Sequence, residues 1–111
     1  MKLRVFDVDY APNELIKQTP FDAKLLRMLP GDDRPDYWLA ELEAPIKWVN
    51  AGIRIISHIV VSARLEGTEI GSDFNKLPIG LAFVTDQAQL NEAKLDFNKC
   101  KYIAIGTAST V

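Results

Sequence analysis

The sequence predicts a mainly β fold, all-β or α+β, with six to seven antiparallel strands in a small barrel or sandwich and one short helix near residues 86–94. Three observations lead there. Residues 53–66 alternate with a period of two. Ile53, Ile55, Ile59, Val61, Ala63 and Leu65 fall on one side, with Ser57 the single polar member, and Arg54, His58, Ser62, Arg64 and Glu66 on the other. Successive side chains of an extended chain point to opposite faces, so this pattern marks a strand with one face in a core. Further stretches rich in β-branched and aromatic residues are bounded by proline, glycine, asparagine and aspartate, as strands joined by turns are. One segment alone carries a well-supported helical signal. An open sheet covered by one or two helices is the alternative architecture.

Taken in order, residues 3–10 form a first strand that stops at Ala11-Pro12, where proline cannot donate to a ladder. Residues 13–18 are short and ambiguous. Thr19-Pro20-Phe21-Asp22 offers a helix start, and Phe21, Leu25 and Leu29 recur at spacing four. Against that, Leu29-Pro30-Gly31 has the order of a type II turn, and the β-like Tyr37-Trp38-Leu39 follows. Residues 23–29 are therefore expected to pair with 37–43 rather than to coil. Ala44-Pro45 interrupts the next piece, 46–49 is a short apolar stretch, and Asn50-Ala51-Gly52 supplies a turn in which Gly52 adopts positive φ. The alternating strand follows. Fourteen extended residues reach about 45 Å, longer than usual, so a bulge or bend is expected near Ser57-His58. Residues 67–78 read as a long loop and a candidate functional one. Residues 79–85 are nearly all apolar and should have both faces covered. Thr85 or Asp86 caps the helix through Lys94, with Leu90, Ala93 and Phe97 on one face. Residues 101–107 return to β character, and Gly106 marks a bulge or a close backbone approach.

Composition bounds the function. The 111 residues suit one domain, and 48% hydrophobic with 25% charged residues is ordinary for a globule with a real core. Thirteen basic against fifteen acidic residues leave a net charge of −2, which argues against a nucleic-acid binder. One cysteine, Cys100, permits no intrachain disulfide and excludes four-ligand cysteine or cysteine/histidine zinc sites. Arg4, Asp7 and Asp9 interrupt the first apolar stretch, and the longest apolar-rich segment carries Arg54, His58 and Arg64, so neither a signal peptide nor a membrane span is expected, and the location is expected to be cytoplasmic.

The candidate ligand-binding or interface residues are Arg54, His58, Ser62 and Arg64 on the wet face of the long strand, with Tyr37 and Trp38. Arginine forks and a histidine that titrates near neutrality suit a carboxylate or phosphate. Residues two apart along a strand lie about 7 Å from one another, so His58 and Ser62 are too far apart for a nucleophile and its base. Tyr37 and Trp38 point oppositely, which leaves one of the two outside as an interface candidate. Asp7 with Asp9, and Asp32-Asp33 with Asp36, lack the spacing of a calcium loop. No cofactor, metal or catalytic residue is expected, since glycine-rich phosphate loops and the nucleophile and zinc motifs are absent from the sequence. The leading expectation is a non-enzymatic cytoplasmic protein-interaction module, of an inhibitory or immunity type or a homo-oligomer, with a protein partner or self-association. A small anionic-ligand binder or modest enzyme using the Arg/His face is second. A weak single-stranded nucleic-acid binder is third.

Overall fold

The computed structural model describes residues 1–49, 52 and 54–111. Six strands, β1 (Lys2–Asp9), β2 (Phe21–Met28), β3 (Trp38–Trp48), β4 (Arg54–Ala63), β5 (Leu77–Val84) and β6 (Cys100–Thr110), pair with their sequence neighbours, and β6 returns to β1. Every pairing is antiparallel, and the sheet closes into a barrel. The fold is therefore mainly β, and closure decides for the barrel over the sandwich and the open sheet.

The interior follows from alternation. Phe21, Ala23 and Leu25 are buried on β2, whereas Lys24 and Leu26 on either side of Leu25 are exposed. The spacing of four between Phe21 and Leu25 is even, so it satisfies a strand as readily as a helix, whereas Leu29 lies beyond the strand and joins a second cluster. Pairing of Ala23 with Leu42 and Met28 with Trp38 settles the segment as a strand, as expected. Leu3, Val5, Ile59, Val61, Ile79, Leu81 and Phe83 are fully buried together, each contributing about 1.5–3 kcal/mol of apolar burial. Trp48 meets Phe83 edge to face at 5.1 Å between ring centroids. Leu15 from the short helix α1 (Asn13–Ile16) closes one end, and Ile70 and Phe74 from the β4–β5 connection close the other.

The long alternating strand departs from its expected pattern at both ends. Ile55 is 61% and Leu65 51% exposed, while Ile56 is buried. The cause lies on β3, where Glu41 pairs with His58 and Ile46 with Ile56, so that residues 42–45 face Ser57 alone. This bulge, at the place where one was expected, flips the inward parity between Ile56 and Ile59. It also accommodates Pro45, exposed where no ladder donor is needed. Leu65 lies beyond the strand end. Ile53, expected as the first inward residue, and the turn residues Asn50 and Ala51 lie outside the described residues, while Gly52 has φ +110° as expected.

Two further expectations change. Gly31 is not among the positive-φ residues, so Pro30-Gly31 is not a type II turn. Its lack of a side chain instead admits the Tyr37 ring, which a Cβ would meet at 2.8 Å. The helix near 86–94 is a short 3₁₀ helix, Gln87–Asn91, with the Asp86 carboxylate accepting from the Ala88 amide. Gln89, fully buried, ends it by donating to the Lys94 carbonyl and accepting from the Asp96 amide. The segment then folds back over the outer wall of the barrel. The Leu95 amide donates to the Pro30 carbonyl, Arg27 donates to the Leu90 carbonyl, and Leu95 joins Leu29, Leu39, Val60 and Val84 in a second apolar cluster. The outer face of β5 is covered this way at Val84 and in part at Ala82, so the expected double coverage holds for one end of the strand.

Candidate functional site

The folded-back segment covers only part of the wall. Between it and β6 lies a groove of about 500 Å³, with Val60, Ser62, Gly80 and Ala82 on the outer faces of β4 and β5 among its lining residues. Tyr37 and Phe97 line one side, edge to face with ring centroids 6.0 Å apart. Arg64 and Tyr102 line the other, and the Arg64 Nη1 donates to the Tyr102 hydroxyl at 2.7 Å. Both pack over Gly80, where a Cβ would stand 3.4 Å from the Tyr102 ring and 3.7 Å from the Arg64 stem. Phe97 and Tyr102 remain 54% and 59% exposed.

The groove's charges differ in how far they are satisfied. Arg34 gives both arms of its guanidinium to Asp36 and holds that carboxyl below the usual range. Tyr37 donates to Asp33 at 2.6 Å, and burial first, then this bond, pushes its phenol well above its ordinary pKa. Arg64 has no carboxylate within salt-bridge distance among the described residues. Burial raises the Cys100 thiol to about 11, with Asp96 and Glu92 adding to the effect, so at neutral pH the sulfur is a protonated, weak nucleophile. A second, more polar depression adjoins the groove and shares Arg34 and Arg64 with it, lined further by Glu66, Glu69 and Asp73.

Of the sequence candidates, Tyr37, Ser62 and Arg64 meet in this groove. Trp38 turns the other way and packs against the barrel interior, so Tyr37 is the outward member of that pair. Arg54 sits at the far end of β4 and donates to the Thr85 carbonyl at 3.1 Å. His58 lies at the bulge, its Nδ1 2.7 Å from the Ser57 hydroxyl and its Nε2 3.7 Å from Glu41. That carboxylate arrives from the neighbouring strand by register, which no local pattern announces. Neither Ser57 nor His58 lines the groove. Phe97, Tyr102 and Gly80 are additions. For Gly80 there is a signal, an isolated glycine inside an apolar strand.

Burial lowers the His58 pKa below its ordinary 6.5, with Glu41 opposing in part. The folded protein thus binds this proton less tightly than the unfolded chain. The contribution of His58 to stability is complete above pH 6.5 and is lost as pH falls through that value toward the lower native one. In urea titrations, His58→Gln is expected to flatten the decline of the midpoint between about pH 7 and 5. The carboxylates of Asp22 and Asp36, lowered by their arginine partners, act in a separate window at and below 3.8. An unchanged slope in the variant would show that His58 is not the titrating group.

No helix among the described residues is long and apolar enough to cross a membrane, and no three His, Cys, Asp or Glu side chains among them gather as a metal cluster. No family model, curated protein or solved structure matches this chain.

Proposed function

We propose that this protein acts by binding rather than by catalysis, as a non-enzymatic interaction module that receives a partner polypeptide in the groove on its outer wall. The observation that carries this reading is Arg64, a guanidinium hydrogen-bonded to Tyr102 beside an aromatic wall and without a carboxylate partner among the described residues. Aromatic and arginine side chains are the commonest energetic anchors of protein interfaces. Continuation of the groove into a second depression across Arg34 and Arg64 favours an elongated occupant over a compact molecule. A cytoplasmic setting fits a chain with one cysteine. A second copy of the same chain is the other polypeptide this reading admits, and light scattering across a concentration series separates the two.

The test is capture from extract of the native host by immobilised protein, run beside Arg64→Ala and Phe97→Ser. Both side chains are exposed, so both variants are expected to keep the wild-type circular dichroism and melting temperature. A polypeptide retained by the native protein should bind each variant about tenfold more weakly. Equal retention by all three proteins would remove the groove from the interaction.

A further inference from the structure

We infer that the groove selects a partner segment carrying an aromatic residue, then one carboxylate, then a basic residue, with the carboxylate seated on Arg64. This rests on the reading of the groove as a polypeptide site and specifies its occupant. The three requirements come from three places. Phe97 and Tyr102 both line the groove with more than half of each residue exposed, and a flat ring lodged against them gains the offset or edge contacts that aromatic groups favour. Arg64 uses one N–H on Tyr102, which fixes the plane of the guanidinium and leaves donors that match the two oxygens of a carboxylate. Because Tyr102 has already ordered that side chain, less conformational freedom is lost on binding.

The number and order of charges follow from the surroundings. Arg34 is neutralised by Asp36, so one cation, not two, is available to an anion. Across the two depressions five carboxylates, Asp33, Asp36, Glu66, Glu69 and Asp73, stand against two guanidinia. A doubly charged phosphate or a nucleic-acid backbone is repelled by that field, whereas a single carboxylate flanked by a cation is not. Glu66, Glu69 and Asp73 have no ion-pair partner among the described residues and lie on the far side of Arg64 from the aromatic wall. The basic residue of the segment therefore lies on the other side of the acidic one from the aromatic residue.

The test uses a short amidated peptide with phenylalanine, aspartate and lysine at alternate positions between glycines. That spacing puts the three side chains on one face of an extended segment. Binding is read from the backbone amide resonances of Gly80, Ala82 and Phe97 in the full-length protein. The expected result is a saturable shift at these amides that weakens at least tenfold when asparagine replaces aspartate or alanine replaces phenylalanine. It should weaken again when glutamate replaces lysine, and as salt is raised. Arg64→Ala should bind the aspartate and asparagine peptides equally, and Arg64→Lys should restore only part of the difference. Equal affinity of the native protein for aspartate and asparagine peptides, or preference for the glutamate version, overturns the inference while leaving the groove a polypeptide site. Phenylacetate matching the peptide in affinity overturns it in favour of a small carboxylate ligand. Silence of every peptide at these amides also overturns it. The capture experiment uses no designed sequence, so it then judges the broader reading by itself.

Discussion

Gly106→Ala is expected to destabilise the barrel by about 3 kcal/mol, lowering the thermal midpoint by roughly 10–20 °C. Gly106 pairs with Val8 where β6 meets β1, and a Cβ there would stand 2.3 Å from the Asp7 carbonyl oxygen and 3.3 Å from Val8 Cγ1. The close approach is set by an irregularity in β1: Val5 pairs with Ala108 and Asp7 with Thr107, so Phe6 is an extra residue that pushes the Asp7 carbonyl toward β6. The obstacle is backbone, not the flexible end of a side chain, and the two strands must separate to admit a methyl group. Gly71→Ala is the control. Its nearest neighbour would be an Asp73 oxygen at 3.6 Å, an ordinary contact, so a change within about 0.5 kcal/mol is expected. Equal denaturation midpoints for Gly106→Ala and Gly71→Ala would refute the steric argument.

Gln89→Leu is expected to cost about 2 kcal/mol and to loosen the groove from a distance. Gln89 is fully buried, donates to the Lys94 carbonyl at 2.9 Å and accepts from the Asp96 amide at 2.7 Å. Leucine fills much the same space but leaves both backbone groups without a partner. The segment can rehydrate them only by lifting from the wall, and Phe97 lies directly downstream. Amide exchange at Asp96 should accelerate strongly while that of the barrel strands changes little, and groove ligands should bind more weakly. Gln87→Leu, on the exposed side of the same 3₁₀ helix, should alter stability by no more than about 0.5 kcal/mol. Unchanged exchange at Asp96 in Gln89→Leu would show that the segment is held without Gln89, by its apolar contacts and by the hydrogen bonds from Leu95 and Arg27.

What the sequence reveals here depends on how local the determining contact is. The strand character of β4 is written in its own alternation, and the partial covering of the outer face of β5 in its lack of polar residues. The sequence also marks Gly106 as a close approach. The exposure of Ile55 is decided on another strand, by residues 42–45, so alternation within β4 assigned it to the wrong side. Arg64, Ser62 and Tyr37 are identifiable as outward candidates, but Arg54 and His58 share the Arg64 face only in the sense that a flat ribbon has one. Strand length and the bulge separate them. The groove's second wall exists because Leu95 reaches Pro30 and Arg27 reaches Leu90, contacts spanning more than sixty residues with no periodic signature. Glu41 beside His58 is of the same kind.

Closure of the six-stranded sheet also limits how this protein meets others. With β6 hydrogen-bonded to β1, none of the described strands is an edge along its whole length, and one-sided pairing is confined to short stretches such as residues 43–48 of β3 and 54–58 of β4. A visiting strand, or a second barrel, thus finds no full-length edge to extend. Under the binding reading proposed above, recognition would fall mainly to side chains standing on the staves, and specificity could be rewritten there without disturbing the barrel that carries them.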